Sequence, residues 1–166
     1  MMAHQILLKP LRRAPYRVIY QAMQEFTVQR SSDTADEIWM IEHEPVYTLG
    51  QAGRWEHLLN PHAIPIEKTD RGGQVTYHGP GQLVIYPLLE LRRFRLNVRS
   101  LVSLLEKTII DFLADYTIIA ETRQDAPGVY VNGAKIASVG LRIRRGCCYH
   151  GIAFNVAMDL TPFFRD

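Results

Sequence analysis

Apolar residues recur at intervals of three and four in two parts of the chain, which predicts two amphipathic helices. The first begins at Pro15, a residue well suited to the first turn of a helix, and ends near Arg30. The second covers residues 98–116, with Asn97 as its N-cap. The apolar stripes consist of Tyr16, Ile19, Tyr20, Met23 and Phe26 in the first helix, and of Leu101, Leu104, Leu105, Ile109, Phe112, Leu113 and Tyr116 in the second.

Short apolar runs between turn residues predict strands over the rest of the chain. They lie at residues 6–8, 38–41, 46–49, 66–68, 83–91, 117–120, 129–131, 135–143 and 147–156, with a helical turn at 55–59. Asn132-Gly133 and Arg145-Gly146 predict tight turns between the last three strands, because these residues tolerate positive φ. The predicted fold is α+β, a mixed and mostly antiparallel sheet with about two flanking helices.

Composition excludes several classes of protein. With 166 residues, 47% of them hydrophobic and 22% charged, the chain is typical of one globular domain, 1–166, with no linker or repeat. Two cysteines exclude a disulfide scaffold, and charged residues interrupt every apolar run before it reaches the length of a membrane span. No signal peptide is recognisable, so we expect a cytoplasmic protein that does not bind a membrane. The 19 basic and 17 acidic residues leave a net charge of +2, too small to indicate nucleic acid.

Residues 71–82 combine four glycines with a proline, an arginine and a histidine. This segment is not a phosphate-binding P-loop, since no Gly-Lys-Ser/Thr follows, and it lacks the G-x-G-x-x-G dinucleotide fingerprint. Two interpretations remain open at this point. The segment is either a tight hairpin loop with a structural arginine, or a binding loop whose glycines bring the backbone close to a ligand.

Three motifs together resemble the octanoyltransferases of lipoate biosynthesis: RGGQVTYHGPGQLVIY at 71–86, DAPGVYVNGAKIASVGLRIRRG at 125–146, and YHGIAFNVAMDL at 149–160. The resemblance covers the chain in order. It implies a fold similar to the catalytic domain of biotin and lipoate protein ligases. It also implies transfer of an octanoyl or lipoyl group from acyl carrier protein to a lysine of a lipoyl domain, through a cysteine acyl-thioester intermediate. The implied acceptors are the lipoyl domains of 2-oxoacid dehydrogenase complexes and the glycine cleavage H protein. No cofactor is implied, because a thioester is already activated.

The same resemblance implies the functional residues. Lys135 would lower the pKa of the nucleophilic cysteine, and the substrate-binding residues would be Arg71, Gly72, Gly73, Gln74, Val75, Thr76, Tyr77, His78, Ser138, Val139, Gly140, Gly151, Ile152 and Ala153. Strand periodicity places Lys135 on the face of Ala137 and Val139 if the strand has no bulge, so we expect a partly desolvated lysine. From the pattern alone, Lys135 could equally be a snorkelling lysine at a strand end, Gly140 a bulge and Gly151 a close strand crossing.

Cys147 and Cys148 are adjacent, a spacing that suits neither zinc nor the N-P-C-G nucleophile motif of the family, so we predict no metal site. Alternation along a strand predicts that one of them is buried and the other exposed. In the family, the N-P-C-G element follows a stretch like residues 158–165. We therefore expect the nucleophile beyond Asp166 and a chain truncated at its C-terminus.

Basic clusters, histidines and two rival functions complete the sequence-based predictions. Basic clusters at 12–13, 92–95 and 142–145 are either solvated faces or docking sites for acidic partners. His78 and His150 lie inside the motifs, whereas His43 lies outside them and is expected at the surface or in a structural role. The rival functions are an ATP-dependent lipoate or biotin ligase and a non-catalytic module that binds lipoyl domains or acyl chains.

Overall fold

A computed structural model describes residues 5–59 and 61–163, in which eleven numbered helices and strands form two sheets and two helices. In chain order, the elements are β1 (Ile6–Pro10), α1 (Tyr16–Gln29), β2 (Asp36–Ile41), β3 (Val46–Leu49), β4 (Ile66–Lys68), β5 (Val75–His78), β6 (Gln82–Leu88), α2 (Val98–Ala114), β7 (Gly128–Val131), β8 (Ala134–Arg144) and β9 (Cys147–Asn155). Strands in the larger sheet are ordered β1-β2-β6-β9-β8-β7, and those in the smaller sheet β4-β3-β5. Among the paired strands of the described residues, only β1–β2 and β3–β4 are parallel, which confirms the α+β, mostly antiparallel prediction.

The two helices cover opposite faces of the larger sheet. Strand β9 contributes Tyr149 and Ala153 to the cluster under α1, and Ile152 and Phe154 to the cluster under α2. Since successive strand residues point to opposite faces, the two clusters lie on either side of β9. This central strand therefore has apolar neighbours on both faces, which accounts for its almost continuous burial.

Local signals in the sequence account for the ends of several elements. Helix α2 begins with a capping box between Asn97 and Ser100, as the N-cap prediction requires. The turn after β7 has φ of 50° at Asn132 and 80° at Gly133, which confirms the predicted hairpin. The predicted helical turn is a 3₁₀ turn at Trp55–His57.

The predicted strand over 117–120 is wrong. The N–H of Thr117 bonds to Ala114 O at 2.9 Å and that of Ile118 to Leu113 O at 3.0 Å, while Thr117 has a φ of 60°. These bonds form a Schellman motif, which uses the residues after α2 to satisfy its last carbonyl groups. Only an isolated bridge from Glu121 to Tyr130 follows.

Two other predicted boundaries differ from the structure. The strand predicted over 83–91 ends at Leu88 and is followed by a 3₁₀ turn at Leu91–Phe94. The glycine-rich segment contains a strand, β5, that its turn-forming composition conceals. Strand β5 pairs with β3 and thereby holds the loop at 70–74 beside β8.

Candidate active site

A cavity of about 720 Å³ opens between the glycine-rich segment, β8 and β9. We call this cavity the cleft. Its lining includes every residue that the motifs predicted for the site except Tyr77, namely Arg71, Gly72, Gly73, Gln74, Val75, Thr76, His78, Lys135, Ser138, Val139, Gly140, Gly151, Ile152 and Ala153. Three segments that are distant in sequence thus meet around one cavity.

Tyr77 points elsewhere. It is buried, and its ring packs against Tyr47 and Phe163 at centroid distances of 5.4 and 5.5 Å. Because side chains alternate along β5, the neighbours Thr76 and His78 face the cleft while Tyr77 faces away from it.

Arg71 holds the glycine-rich segment to strand β3. Its Nη2 donates to the carbonyl and hydroxyl oxygens of Thr48, both at 2.8 Å, and to Gln74 O at 2.8 Å, while Nη1 donates to Gly72 O at 2.9 Å. The residue is buried, burial lowers the pKa of its guanidinium, and no carboxylate of the described residues forms an ion pair with it. The arginine of the segment is therefore structural, and because the segment also lines a cavity, its role as a binding loop stays a prediction.

Glycines let the walls of the cleft come together. A Cβ on Gly140 would lie 3.1 Å from Gly72 O, and the N–H of Gly72 bonds to Leu141 O at 3.0 Å. A Cβ on Gly151 would lie 2.0 Å from Ile85 O, so this position is a close strand crossing. The pairing of β8 with β9 runs through Gly140 without a shift, so Gly140 is not a bulge.

His78 is a buried, neutral histidine whose tautomer is set by its partners. Gln82 Nε2 donates to Tyr77 O, which turns Gln82 Oε1 toward His78 Nδ1 at 2.7 Å. His78 Nδ1 is therefore the donor, and its Nε2 lone pair faces the Thr48 hydroxyl at 3.4 Å. Burial, reinforced by nearby His43, lowers the pKa of His78 to about 3. We infer that His78 fixes the shape and polarity of the wall and is not a general acid near neutral pH.

His43, predicted to be either at the surface or structural, is structural. It is fully buried, donates through Nδ1 to Ala14 O at 3.2 Å, and accepts at Nε2 from the Tyr86 hydroxyl at 2.7 Å. Burial lowers the pKa of His43 to about 4. The rings of Tyr16, His43 and His78 pack against one another, with the Tyr16 centroid 5.1 Å from that of His43 and 5.5 Å from that of His78.

His150 lines the cleft and belongs to a second polar group. His150 Nε2 bonds to Asp70 Oδ1 at 2.8 Å, the Tyr149 hydroxyl donates to the other oxygen of Asp70, and the Tyr16 hydroxyl lies 3.4 Å from His150 Nδ1. Burial lowers the pKa of His150. Burial alone would raise the pKa of Asp70, but its hydrogen bonds hold that pKa well below its usual range. This group therefore combines an ionised carboxylate with a neutral imidazole.

Tyr16 and Tyr86 line the cleft and were missed as site residues. In the sequence, Tyr16 is only one member of the apolar stripe of α1, and Tyr86 lies inside an apolar strand. Nothing in the pattern marks either as a cleft residue, because their positions depend on α1 packing against β6 and β9.

Lys135 lines the cleft near its edge, but not as predicted. Strand β8 has a bulge: Tyr130 pairs with Lys135 and Val129 with Ala137, so Ile136 is the extra residue. The bulge removes Lys135 from the regular face of Ala137. The side chain is exposed rather than partly desolvated, with Nζ 5.5 Å from the centre of the Tyr130 ring.

Neither cysteine lies at the cleft. Both are buried, so the prediction of one exposed cysteine is wrong; the reason is that β9 has packed neighbours on both faces. Burial raises the pKa of both thiols, and that of Cys148 to about 12. Cys148 donates to Pro87 O at 3.0 Å, so it is held as a thiol in the core.

Residues 5–59 and 61–163 contain neither a candidate metal site nor a candidate membrane-spanning helix. Within these ranges, no group of three or more His, Cys, Asp or Glu side chains could hold a metal ion. In the same ranges, no helix has the length and apolar character needed to cross a membrane.

The basic clusters differ in whether their arginines form ion pairs within the protein. Arg93 pairs with Asp36 at 3.0 Å and with Glu90 at 2.9 Å, and Arg13 pairs with Glu42 at 3.0 Å. By contrast, Arg142, Arg144 and Arg145 are exposed at the end of β8. Residues 142–145 are thus the cluster most available to an acidic partner.

Comparison with known proteins gives one family. The model of the lipoyl protein ligase A/B catalytic domain matches residues 18–165. The octanoyltransferase of Alkalilimnicola ehrlichii is 62% identical over 160 residues, which cover 96% of this chain and 74% of that protein. The octanoyltransferase of Klebsiella pneumoniae is 58% identical over 165 residues, 99% of this chain and 77% of that protein. The chain thus spans about three quarters of the length of these relatives.

The fold also occurs among solved structures. A crystal structure of lipoate-protein ligase A bound with ATP superposes with a TM-score of 0.78 at 14% identity, covering 95% of this chain and 69% of that one. At this identity the match concerns the fold alone. It confirms the predicted similarity to the lipoate ligase catalytic domain.

Proposed function

The chain belongs to the octanoyltransferases within the lipoyl protein ligase A/B catalytic domain family, and we propose that it transfers an octanoyl group from acyl carrier protein to a lysine amine of a lipoyl domain. The observation that carries the proposal is the cleft, around which the three family motifs meet. The small side chains of Ser138 and Ala153 on its walls would leave room for an acyl chain.

The reaction would proceed in two steps. A cysteine thiolate attacks the carbonyl carbon of the octanoyl thioester, the bond to the carrier sulfur breaks, and the carrier leaves as a thiol. The lysine amine of the acceptor then attacks the enzyme thioester, an amide forms, and the cysteine thiolate is released with loss of a proton from the amine. By the resemblance, this cysteine would be that of the family's N-P-C-G element.

Lys135 would serve the first step. An ammonium at the edge of the cleft favours the thiolate of a nearby cysteine and can supply the proton that the departing carrier thiolate needs. The bulge in β8 supports this role, because bulges re-aim side chains beside active sites. Arg71 and the backbone of the glycine-rich segment would border the acyl carbonyl.

The protein would work on acidic partners in the cytoplasm. We propose octanoyl-acyl carrier protein as the donor. The acceptors would be lipoyl domains of 2-oxoacid dehydrogenase complexes and the glycine cleavage H protein. The exposed arginines at 142–145 support docking of acidic surfaces, and two free cysteines suit a reducing compartment. An ATP-dependent ligase reaction is not favoured, since relatives at 58–62% identity are octanoyltransferases.

The test is transfer by the full-length protein, followed by mass spectrometry of the enzyme and of a lipoyl domain. Wild-type protein should form an octanoyl adduct and pass it to the acceptor. Lys135→Ala should slow transfer by about 10²- to 10⁴-fold, the range typical of a lost acid–base group. Lys107→Ala is the matched control, because Lys107 is an exposed lysine of α2 that does not line the cleft. Normal transfer by Lys135→Ala, or binding without an adduct, would contradict the proposal.

A further inference from the structure

Tyr130 contacts four residues near the cleft through its ring, its hydroxyl and its backbone. Its ring lies under two cations, with Arg123 Cζ 4.2 Å and Lys135 Nζ 5.5 Å from the ring centre. Its hydroxyl donates to Ala126 O at 2.9 Å. The residue is only 4% exposed, and its backbone bonds in both directions to Glu121 at 2.9 Å. The ring is therefore held in place by contacts that do not involve Lys135.

The β8 bulge brings Lys135 to this ring. In a regular antiparallel pair, Val129 and Tyr130 would face consecutive residues of β8, but here they face Ala137 and Lys135 with Ile136 left over. The shift places Lys135 directly opposite Tyr130. The position of the lysine is thus set by pairing with β7 rather than by the apolar face of β8.

Gly128 provides the space that the lysine stem occupies. A Cβ at Gly128 would lie 3.2 Å from Lys135 Cε and 3.3 Å from Cδ, and also 2.5 Å from Ala137 O. The φ of 139° at Gly128 is a conformation that other residues rarely adopt. The stem of Lys135 therefore passes over Gly128, and its ammonium reaches the ring of Tyr130.

The hydroxyl of Tyr130 contacts a second part of the cleft lining. Residues 125–127, which we call the lip segment, line the cleft together with Lys135. The hydrogen bond from the Tyr130 hydroxyl to Ala126 O ties this segment to β7.

We infer that Tyr130 is a positioning residue for the proposed acyl transfer, with its ring holding the Lys135 ammonium at the cleft and its hydroxyl holding the lip segment, which also lines the cleft. The inference rests on the proposed function of Lys135. An exposed lysine has many rotamers, and a cation over an aromatic ring gains enough to favour one of them. The ring therefore selects the lysine position, and the hydroxyl selects the position of the lip segment.

Two substitutions separate these roles. Tyr130→Leu removes ring and hydroxyl, and should lower kcat by about two- to thirtyfold, the equivalent of a cation–π contact. Tyr130→Phe keeps the ring, and should preserve kcat while raising KM for octanoyl-acyl carrier protein. Tyr116→Leu is the control, because Tyr116 is 64% exposed and does not line the cleft. Thermal unfolding of each variant shows whether the fold is retained.

A spectroscopic signal tests the contact without relying on activity. Protons on Lys135 Cε should be shifted upfield in NMR spectra by the Tyr130 ring current, with the resonance assigned by its loss in Lys135→Ala. The shift should persist in Tyr130→Phe and disappear in Tyr130→Leu. A Lys135 resonance at the random-coil position in the wild type would overturn the inference even if Tyr130→Leu fails to fold.

The outcomes also distinguish this inference from the proposed function. If Lys135→Ala loses transfer while folded Tyr130→Leu keeps full kcat, the positioning role fails and the proposed function stands. If Lys135→Ala keeps full transfer, both fail.

Discussion

Asp36 lies at the start of β2, where a single buried carboxylate joins three parts of the fold. Its side chain is fully buried and accepts from Arg30 at 2.6 Å and from Arg93 at 3.0 Å. It also accepts from the backbone N–H of Glu90 at 2.7 Å. The carboxylate thus connects the end of α1, the larger sheet and the 3₁₀ turn that leads to α2. We predict that Asp36→Ala strongly destabilises the protein.

The magnitude follows from what the substitution leaves behind. Arg30 has a side chain that is 4% exposed, and without Asp36 its remaining hydrogen bond is to Leu88 O at 3.2 Å. Removing one partner of a buried ion pair costs about 3–5 kcal/mol, because the other charge remains buried. Arg93 keeps Glu90 and two backbone carbonyls as partners, so it contributes less to the loss. We therefore expect the free energy of unfolding to fall by about 3–4 kcal/mol.

Urea unfolding at neutral pH measures this loss. With a urea m-value of about 1–3 kcal/mol/M, the midpoint should fall by about 1–4 M with little change in m. Asp111→Ala is the matched control, because its pair with Lys107 has the same kind of geometry at 2.8 Å but lies in solvent. That control should lose only about 0.3–0.5 kcal/mol. If Asp36→Ala loses less than about 1 kcal/mol, the carboxylate does not compensate a buried charge and the reasoning is refuted.

Two further predictions concern the cleft walls and the buried histidines. Gly151→Ala should lower the free energy of unfolding, measured in urea, by about 1–3 kcal/mol, because its Cβ would meet the backbone of Ile85. Gly72→Ala is the control and should lower it much less, since its Cβ would lie 3.6 Å from Leu141 O. Equal losses in the two variants would contradict the close strand crossing at Gly151. His43 and His78 stay neutral in the fold and take up protons in the unfolded chain near pH 6.5, so the free energy of unfolding should fall as pH decreases from 6.5, by about 2 kcal/mol per histidine at pH 5. Urea unfolding measured from pH 7 to pH 5 checks this prediction. The free energy of unfolding should fall less steeply with decreasing pH in His43→Asn than in the wild type. An unchanged slope would show that His43 takes up its proton equally in the folded and unfolded chain.

Much of the fold could be predicted because its signals are local. The helical stripes locate α1 and α2, and Asn132-Gly133 marks the β7–β8 turn because both residues adopt the positive φ that it requires. The strand predicted at 117–120 shows the limit of such signals. Its apolar residues suit a strand, but the end of α2 needed those N–H groups as hydrogen-bond donors.

The site was predicted in outline for a different reason. Its segments are recognisable as family motifs, and the structure brings all their predicted site residues except Tyr77 to one cleft. Nothing in the motifs indicates which side chains point into the cleft, and a period-two pattern cannot reveal a bulge such as that at Ile136. The face predicted for Lys135 depended on an unbroken strand, and the bulge removes that condition.

The amino-acid sequence by itself determined the two helices, the antiparallel character of the sheet and the family motifs, because each depends on residues close together in the chain. Only the tertiary structure decided that Tyr16 and Tyr86 line the cleft, that both cysteines are buried, and that Lys135 lies on Tyr130. These features depend on which faces of distant strands and helices meet. That choice is made by packing and by the desolvation of polar groups across the whole domain.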